Sequence, residues 1–128
     1  MDDWKIRIAV LWIYGAVAMS AHYAMLFFES DEFLKALRER VIPRTELMEV
    51  FTNWLIPLTM AFLSVTLGDL ANRRLNMVLG GLFTVLGVIH IAICPIIHIS
   101  DHPSIHQLLI SVSTIVATAI VFWIAWLG

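Results

Sequence analysis

Four long apolar stretches dominate this chain, running from about Ile6 to Phe28, Val50 to Leu67, Leu75 to Ile99 and His106 to Leu127. A helix needs roughly 20 apolar residues to cross a hydrocarbon layer of about 30 Å, whereas a membrane strand needs only about ten alternating ones. Each stretch approaches or exceeds the helical requirement, so the expected fold is all-α: an integral membrane four-helix bundle forming a single domain. Composition agrees, with 60% hydrophobic and only 14% charged residues over 128 positions and a mean hydropathy of +0.87. Ordinary soluble domains are about half apolar and about a quarter charged.

The first stretch reads as a retained span rather than a leader. Asp2 and Asp3 stand beside Lys5 and Arg7 at its start, and its apolar run exceeds the usual 7–15 residues of a leader core. Between the first two spans lies one sizeable connection, 29–49, in which Phe33, Leu34, Leu37, Val41 and Ile42 alternate with charged residues. That pattern predicts a short amphipathic helix over about 31–40, lying on the membrane surface and ending before Pro43. The other connections, 68–74 and 100–105, are expected to be tight.

An even number of spans places both termini on one side, with the Arg73–Arg74 turn. Lys5, Arg7, Arg73 and Arg74 fall there, balanced by Lys35, Arg38, Arg40 and Arg44 on the other. The first group sits in short segments directly against the spans, where positive charge orients a chain most effectively. The expectation is a prokaryotic cytoplasmic membrane with both termini cytoplasmic. A net charge of −2 and a pI near 6.2 give no electrostatic reason to expect nucleic acid as a partner. The bilayer is the expected partner, together with a second copy or another membrane protein. One cysteine excludes an internal disulfide framework.

Polar side chains within a span usually turn toward the bundle interior. In the fourth span Gln107, Ser111, Thr114 and Thr118 form one stripe at spacings of four, three and four. Hydroxyls in such a stripe either line a cavity or bond to their own helix. All five histidines fall toward the side opposite the termini: His90, His98, His102 and His106 recur at every fourth residue with Cys94 among them, and His22 faces them from the first span. Imidazole and thiolate suit zinc, copper or haem iron. The candidate cofactor ligands are therefore His22 and His90, holding haem b, or His22, His90, Cys94 and His98, holding a transition metal. Buried histidines bonded to a neighbouring carbonyl or hydroxyl are the competing reading.

Two prolines lie in the same half. Pro57 frees the carbonyl of Asn53 and Pro95 that of Ile91, because proline carries no N–H to close the helical bond. Broken helices at membrane depth are tolerated where neighbours or water meet the freed groups. Asn53, Gln107 and Ser111 are accordingly expected to line a polar pocket with the histidines, and Glu29, Glu46, Glu49 and Asp101 to stand near its mouth.

The stretch Ile56-Pro57-Leu58-Thr59-Met60, then Phe62-Leu63-Ser64, then Asn72-Arg73-Arg74-Leu75-Asn76 with Gly80 and Thr84, resembles the central hairpin of a family of small four-helix prokaryotic membrane proteins of unknown function. The opening Lys5-Ile6-Arg7 and Leu11-Trp12 resembles its start. The resemblance covers about half the chain and implies a four-span inner-membrane fold with no assigned activity; the histidine series lies outside its pattern. No phosphate loop, paired-cysteine or hydrolase motif is present. Three functions remain open: an accessory or ligand-binding protein without catalysis of its own, a metal- or haem-binding protein, and a small transporter or channel subunit.

Overall fold

The computed structural model describes residues 2–29, 31, 35, 38–39, 44–97 and 105–128, with side chains described for all of these except 26–29, 45–46, 94–97 and 105–107. It contains α1 (Asp3–Glu29), α2 (Arg44–Thr66), α3 (Asp69–Ile97) and α4 (Ile105–Leu127). Most of the interfacial helix expected over 31–40 lies outside the described residues.

Two boundaries differ from the sequence expectation. The connection expected over 68–74 contracts to Leu67 and Gly68, because α3 begins at Asp69. Asp69 complements the partial positive charge of the helix N-terminus, and the Asn72 amide donates to the Gly68 carbonyl at 2.9 Å, closing the first turn. Charged residues at 69–74 are thus the opening turns of a helix. Likewise α2 starts at Arg44, well before the apolar run begins. Asp3 in the first turn of α1 plays the same electrostatic role as Asp69.

All four helices are long and apolar enough to cross a membrane, over Asp3–Met25, Leu47–Thr66, Asp69–Ile93 and Leu108–Leu127. Their outward faces carry large apolar side chains: Val10, Val17, Phe62, Leu70, Val78 and Trp126 are each exposed by more than half. An apolar belt of this extent is unstable in water and matches hydrocarbon.

The core is small and lies toward the end that carries the termini. Ile8, Ala9 and Trp12 of α1 pack with Met60 and Ala61 of α2 and with Val121 and Ala125 of α4. Small residues let the backbones approach closely where α3 meets α4. A methyl group built on Gly80 would stand 3.1 Å from the Phe122 nitrogen and the Thr118 carbonyl oxygen, and one on Gly87 would stand 2.6 Å from Ile115 Cγ1.

The packing order around the bundle is α2, α1, α4, α3. α1 lies against both α2 and α4, and α3 lies against α4, but few close approaches join α2 to α3. Those two are tied near their turn, where Asn72 Nδ2 donates to the Ser64 carbonyl at 2.5 Å and Asn76 Nδ2 to Ser64 Oγ at 3.2 Å. Among the described residues the bundle is therefore closed at the turn, and α2 and α3 lie apart above it.

Contacts at the closed end fix the antiparallel arrangement. Lys5 Nζ donates to the Leu67 carbonyl at 3.2 Å and pairs with Asp69 Oδ1 at 2.6 Å. Arg73 lies over the Trp4 ring at 4.8 Å and packs against Gly128. Both ends of the chain and the α2–α3 turn share one face of the molecule.

Candidate ligand-binding cavity

Every helix contributes to a cavity of about 450 Å³. Each contribution is a helical stripe, since residues three and four apart share a face. α1 supplies Leu11, Trp12, Gly15, Met19 and His22. α2 supplies Met48, Glu49, Thr52, Asn53 and Pro57. From α3 come Phe83, Leu86, Gly87 and His90, and from α4 Ser111, Thr114, Ile115 and Thr118.

At the floor, Trp12 and Phe83 meet edge to face, with ring centroids 5.6 Å apart and planes at 83°. The indole is locked from below: Trp12 Nε1 donates to Asn76 Oδ1 at 2.7 Å. Asn76 in turn donates through Nδ2 to the Asn72 carbonyl at 2.9 Å and to Asn72 Oδ1 at 2.5 Å. Ser64 Oγ completes the network by donating to the Met60 carbonyl at 2.6 Å. Ser64, Asn72 and Asn76 are fully buried, and their bonds join α1, α2 and α3 beneath the cavity. A second cross-helix bond, from Thr84 Oγ1 to Thr118 Oγ1 at 2.9 Å, holds α3 to α4 at the same level. Below this floor Ile8, Met60 and Val121 fill the interior. Thr118 is the last member of the α4 polar stripe, and the cavity ends there.

Polar groups gather toward the mouth. His22 is half-buried and meets Tyr23 edge to face at 5.4 Å, while Glu49 and His90 are exposed. Asn53 sits one helical turn before the buried Pro57, which has no N–H to offer the Asn53 carbonyl. α2 therefore presents that carbonyl, the Asn53 amide and the Glu49 carboxylate from the same stretch.

Of the residues singled out from sequence, His22, Asn53, His90 and Ser111 line this one cavity, with Glu49 at its mouth. The side chains of Cys94 and Gln107 and all of His98 lie outside the described residues. Among the described residues no group of three His, Cys, Asp or Glu side chains stands close enough to hold a metal ion. Trp12, Gly15, Met19, Phe83 and Gly87 were not singled out as pocket residues because they look like packing positions. The Ser64–Asn72–Asn76 network was also missed, although two asparagines four residues apart in an apolar helix satisfy the rule that polar groups mark an inner face.

Fold and cavity together define a class: a four-helix bundle of membrane-crossing length with a pocket lined by all four helices. No protein family, curated protein or solved structure matches this chain. The likeness to small prokaryotic membrane proteins seen in the α2–α3 hairpin rests on its short motifs alone.

Proposed function

We propose that this protein is an integral membrane accessory protein that binds a small lipophilic ligand and carries out no catalysis of its own. One observation carries the reading: a cavity of about 450 Å³ is lined by all four helices, in a bundle where few close approaches join α2 to α3. Its volume falls in the range of about 300–1,000 Å³ typical of small-molecule sites, and its apolar walls with a few convergent polar groups are the usual composition of such sites. A seam between membrane-crossing helices gives a lipophilic molecule a route from the bilayer without passage through water. The protein belongs, on this reading, in a prokaryotic cytoplasmic membrane, with termini in the cytoplasm and the cavity in the opposite leaflet. A second copy or a membrane-complex partner covers part of the apolar exterior.

Gly15 provides the test. It lines the cavity, and a Cβ built there meets nothing within 4 Å. Gly15→Phe should fill the space from inside, while Gly15→Ala serves as a folding control. Native mass spectrometry of protein released from lipid nanodiscs should show a one-to-one small-molecule adduct on wild type and Gly15→Ala that is lost in Gly15→Phe. Adducts indistinguishable among the three proteins would overturn the reading.

A second reading is favoured by the two imidazoles on one cavity: His22 and His90 as axial ligands of haem b, or as part of a metal site with Cys94 and His98. Absorption and elemental analysis of the same preparations decide it. A Soret band, or stoichiometric metal, lost in His22→Ala and in His90→Ala replaces the accessory reading; a colourless, metal-free protein removes the alternative.

A further inference from the structure

The shape of the cavity selects among lipophilic ligands. We infer that it takes a single-chain lipid, with its polar head at the mouth and its tail toward Trp12, and that Gly15 sets the length of chain accepted. The inference rests on the cavity being a ligand site at all.

Depth is the first observation. On α1 the wall runs from His22 down to Trp12, roughly 15 Å at a rise of 1.5 Å per residue, and on α2 from Met48 to Pro57, roughly 14 Å. Three backbone bonds of an extended polypeptide advance about 3.5 Å, so a hydrocarbon chain needs about twelve bonds to span this depth. An extended polypeptide of the same length, at the spacings of about 4.8 and 10 Å found in sheets, fills roughly 700 Å³. The cavity, at about 450 Å³, is slimmer than that and admits one chain rather than the two of a diacyl lipid.

Polarity changes along this depth. Toward the mouth Asn53, Ser111 and the imidazoles of His22 and His90 bring donors as well as acceptors, and Glu49 brings acceptors. A hydroxyl, which both donates and accepts, suits such a mixed rim. At the floor Trp12 Nε1 is committed to Asn76 at 2.7 Å, and Thr118 Oγ1 donates to the Ile115 carbonyl at 3.0 Å while accepting from Thr84 at 2.9 Å. Neither has a polar hydrogen left for a ligand, and Leu11, Phe83 and Ile115 surround them. The floor suits the end of a hydrocarbon tail.

Gly15 lies one helical turn above Trp12 on the same face, and a Cβ built there meets nothing within 4 Å. The other glycine on the wall, Gly87, leaves no such space, because its Cβ would stand 2.6 Å from Ile115 Cγ1. Helical side chains lean toward the N-terminus of their helix, so a leucine at position 15 would lie over Trp12. It would raise the floor by roughly 4.5 Å, the rise of three residues and the length of about four carbon–carbon bonds.

Displacement of tritiated octanol by unlabelled octanol, decanol, dodecanol and tetradecanol, in one detergent, tests the gauge. Dividing each affinity of a variant by that of wild type removes partition into detergent, which is common to both proteins. Gly15→Leu should stay within threefold of wild type for octanol and weaken at least tenfold for dodecanol. Gly15→Ala should show the same trend in smaller measure, with the longest alcohols affected first. Weakening by one factor at every length, or no weakening in either variant, would overturn the gauge while sustaining the cavity as a ligand site. Displacement from wild type by didecanoylglycerol as effective as that by decanol would overturn the single-chain assignment. Absence of saturable alkanol binding to wild type would overturn the ligand site as well.

Discussion

The Asn76 side chain stands at the junction of three helices, accepting from the Trp12 indole at 2.7 Å and donating toward Asn72 and Ser64. Its neighbours are buried, so removing the amide leaves an indole N–H and two hydroxyl or carbonyl acceptors without their partner in an apolar interior. Asn76→Ala should lower stability by about 1–2 kcal/mol, the upper part of the range measured for hydrogen bonds between membrane helices. Reversible unfolding in mixed micelles checks the size of the effect. Trp12→Phe removes the donor and keeps most of the ring, so a double-mutant cycle of Trp12→Phe with Asn76→Ala should show the two losses to be less than additive. Full additivity would mean that the Trp12–Asn76 bond contributes nothing. Because Trp12 is also the cavity floor, the same network keeps one wall of the site in place.

Two glycines on different helices illustrate how element packing makes the cavity. At Gly80 the nearest atoms to an added Cβ are backbone atoms of α4, Phe122 N and Thr118 O, both at 3.1 Å, and neither can swing aside. At Gly15 the same Cβ points into open space. Alanine is a better helix former than glycine by roughly 0.5–1 kcal/mol. Gly15→Ala should therefore raise the melting temperature in detergent. Gly80→Ala should lower it, because forcing α3 from α4 costs about 1–3 kcal/mol, more than the propensity gain. A stabilised Gly80→Ala protein would contradict the close α3–α4 packing described above. The existence of the four helices was legible from hydropathy, since only a helix satisfies its own backbone over so long an apolar run. The start of α3 was not, because Asp69, Arg73 and Arg74 look like a loop and become helical once Gly68 makes the turn. Within the site, His22, Asn53, His90 and Ser111 could be read ahead because polar groups are scarce in these spans. Gly15 and Phe83 could not, since an apolar residue facing a cavity and one facing lipid leave the same mark in sequence. Only the order of packing, with α2 and α3 apart, distinguishes them.

At the scale of the whole molecule the two ends differ in chemistry. Around the closed end, Lys5 pairs with Asp69, Arg73 lies over Trp4 and against Gly128, and Arg7 and Arg74 are exposed beside them. The open end holds the cavity mouth with Glu49 and His90. Basic residues directly flanking short spans favour the cytoplasmic side, while acidic residues have little influence on orientation. Arg44 and the basic residues of 31–40 pull the other way, in a longer connection that translocates with less regard to its charge. The closed end should accordingly face the cytoplasm. A fluorescent protein joined after Gly128 should fold and emit, alkaline phosphatase joined there should be inactive, and phosphatase inserted between residues 39 and 44 should be active. Replacing Arg73 and Arg74 with glutamine should weaken this preference and produce a mixed population, because it halves the basic residues at the closed end from four to two. The opposite reporter pattern in the wild type would invert the molecule and place the α2–α3 seam in the cytoplasmic leaflet. In the orientation expected here, the cavity lies toward the outer leaflet, and the packed layer of Ile8, Met60 and Val121 beneath Trp12 lies between it and the cytoplasmic end. Any passage from the cavity to the closed end would require α2 or α3 to move away from the Ser64–Asn72–Asn76 network that joins them.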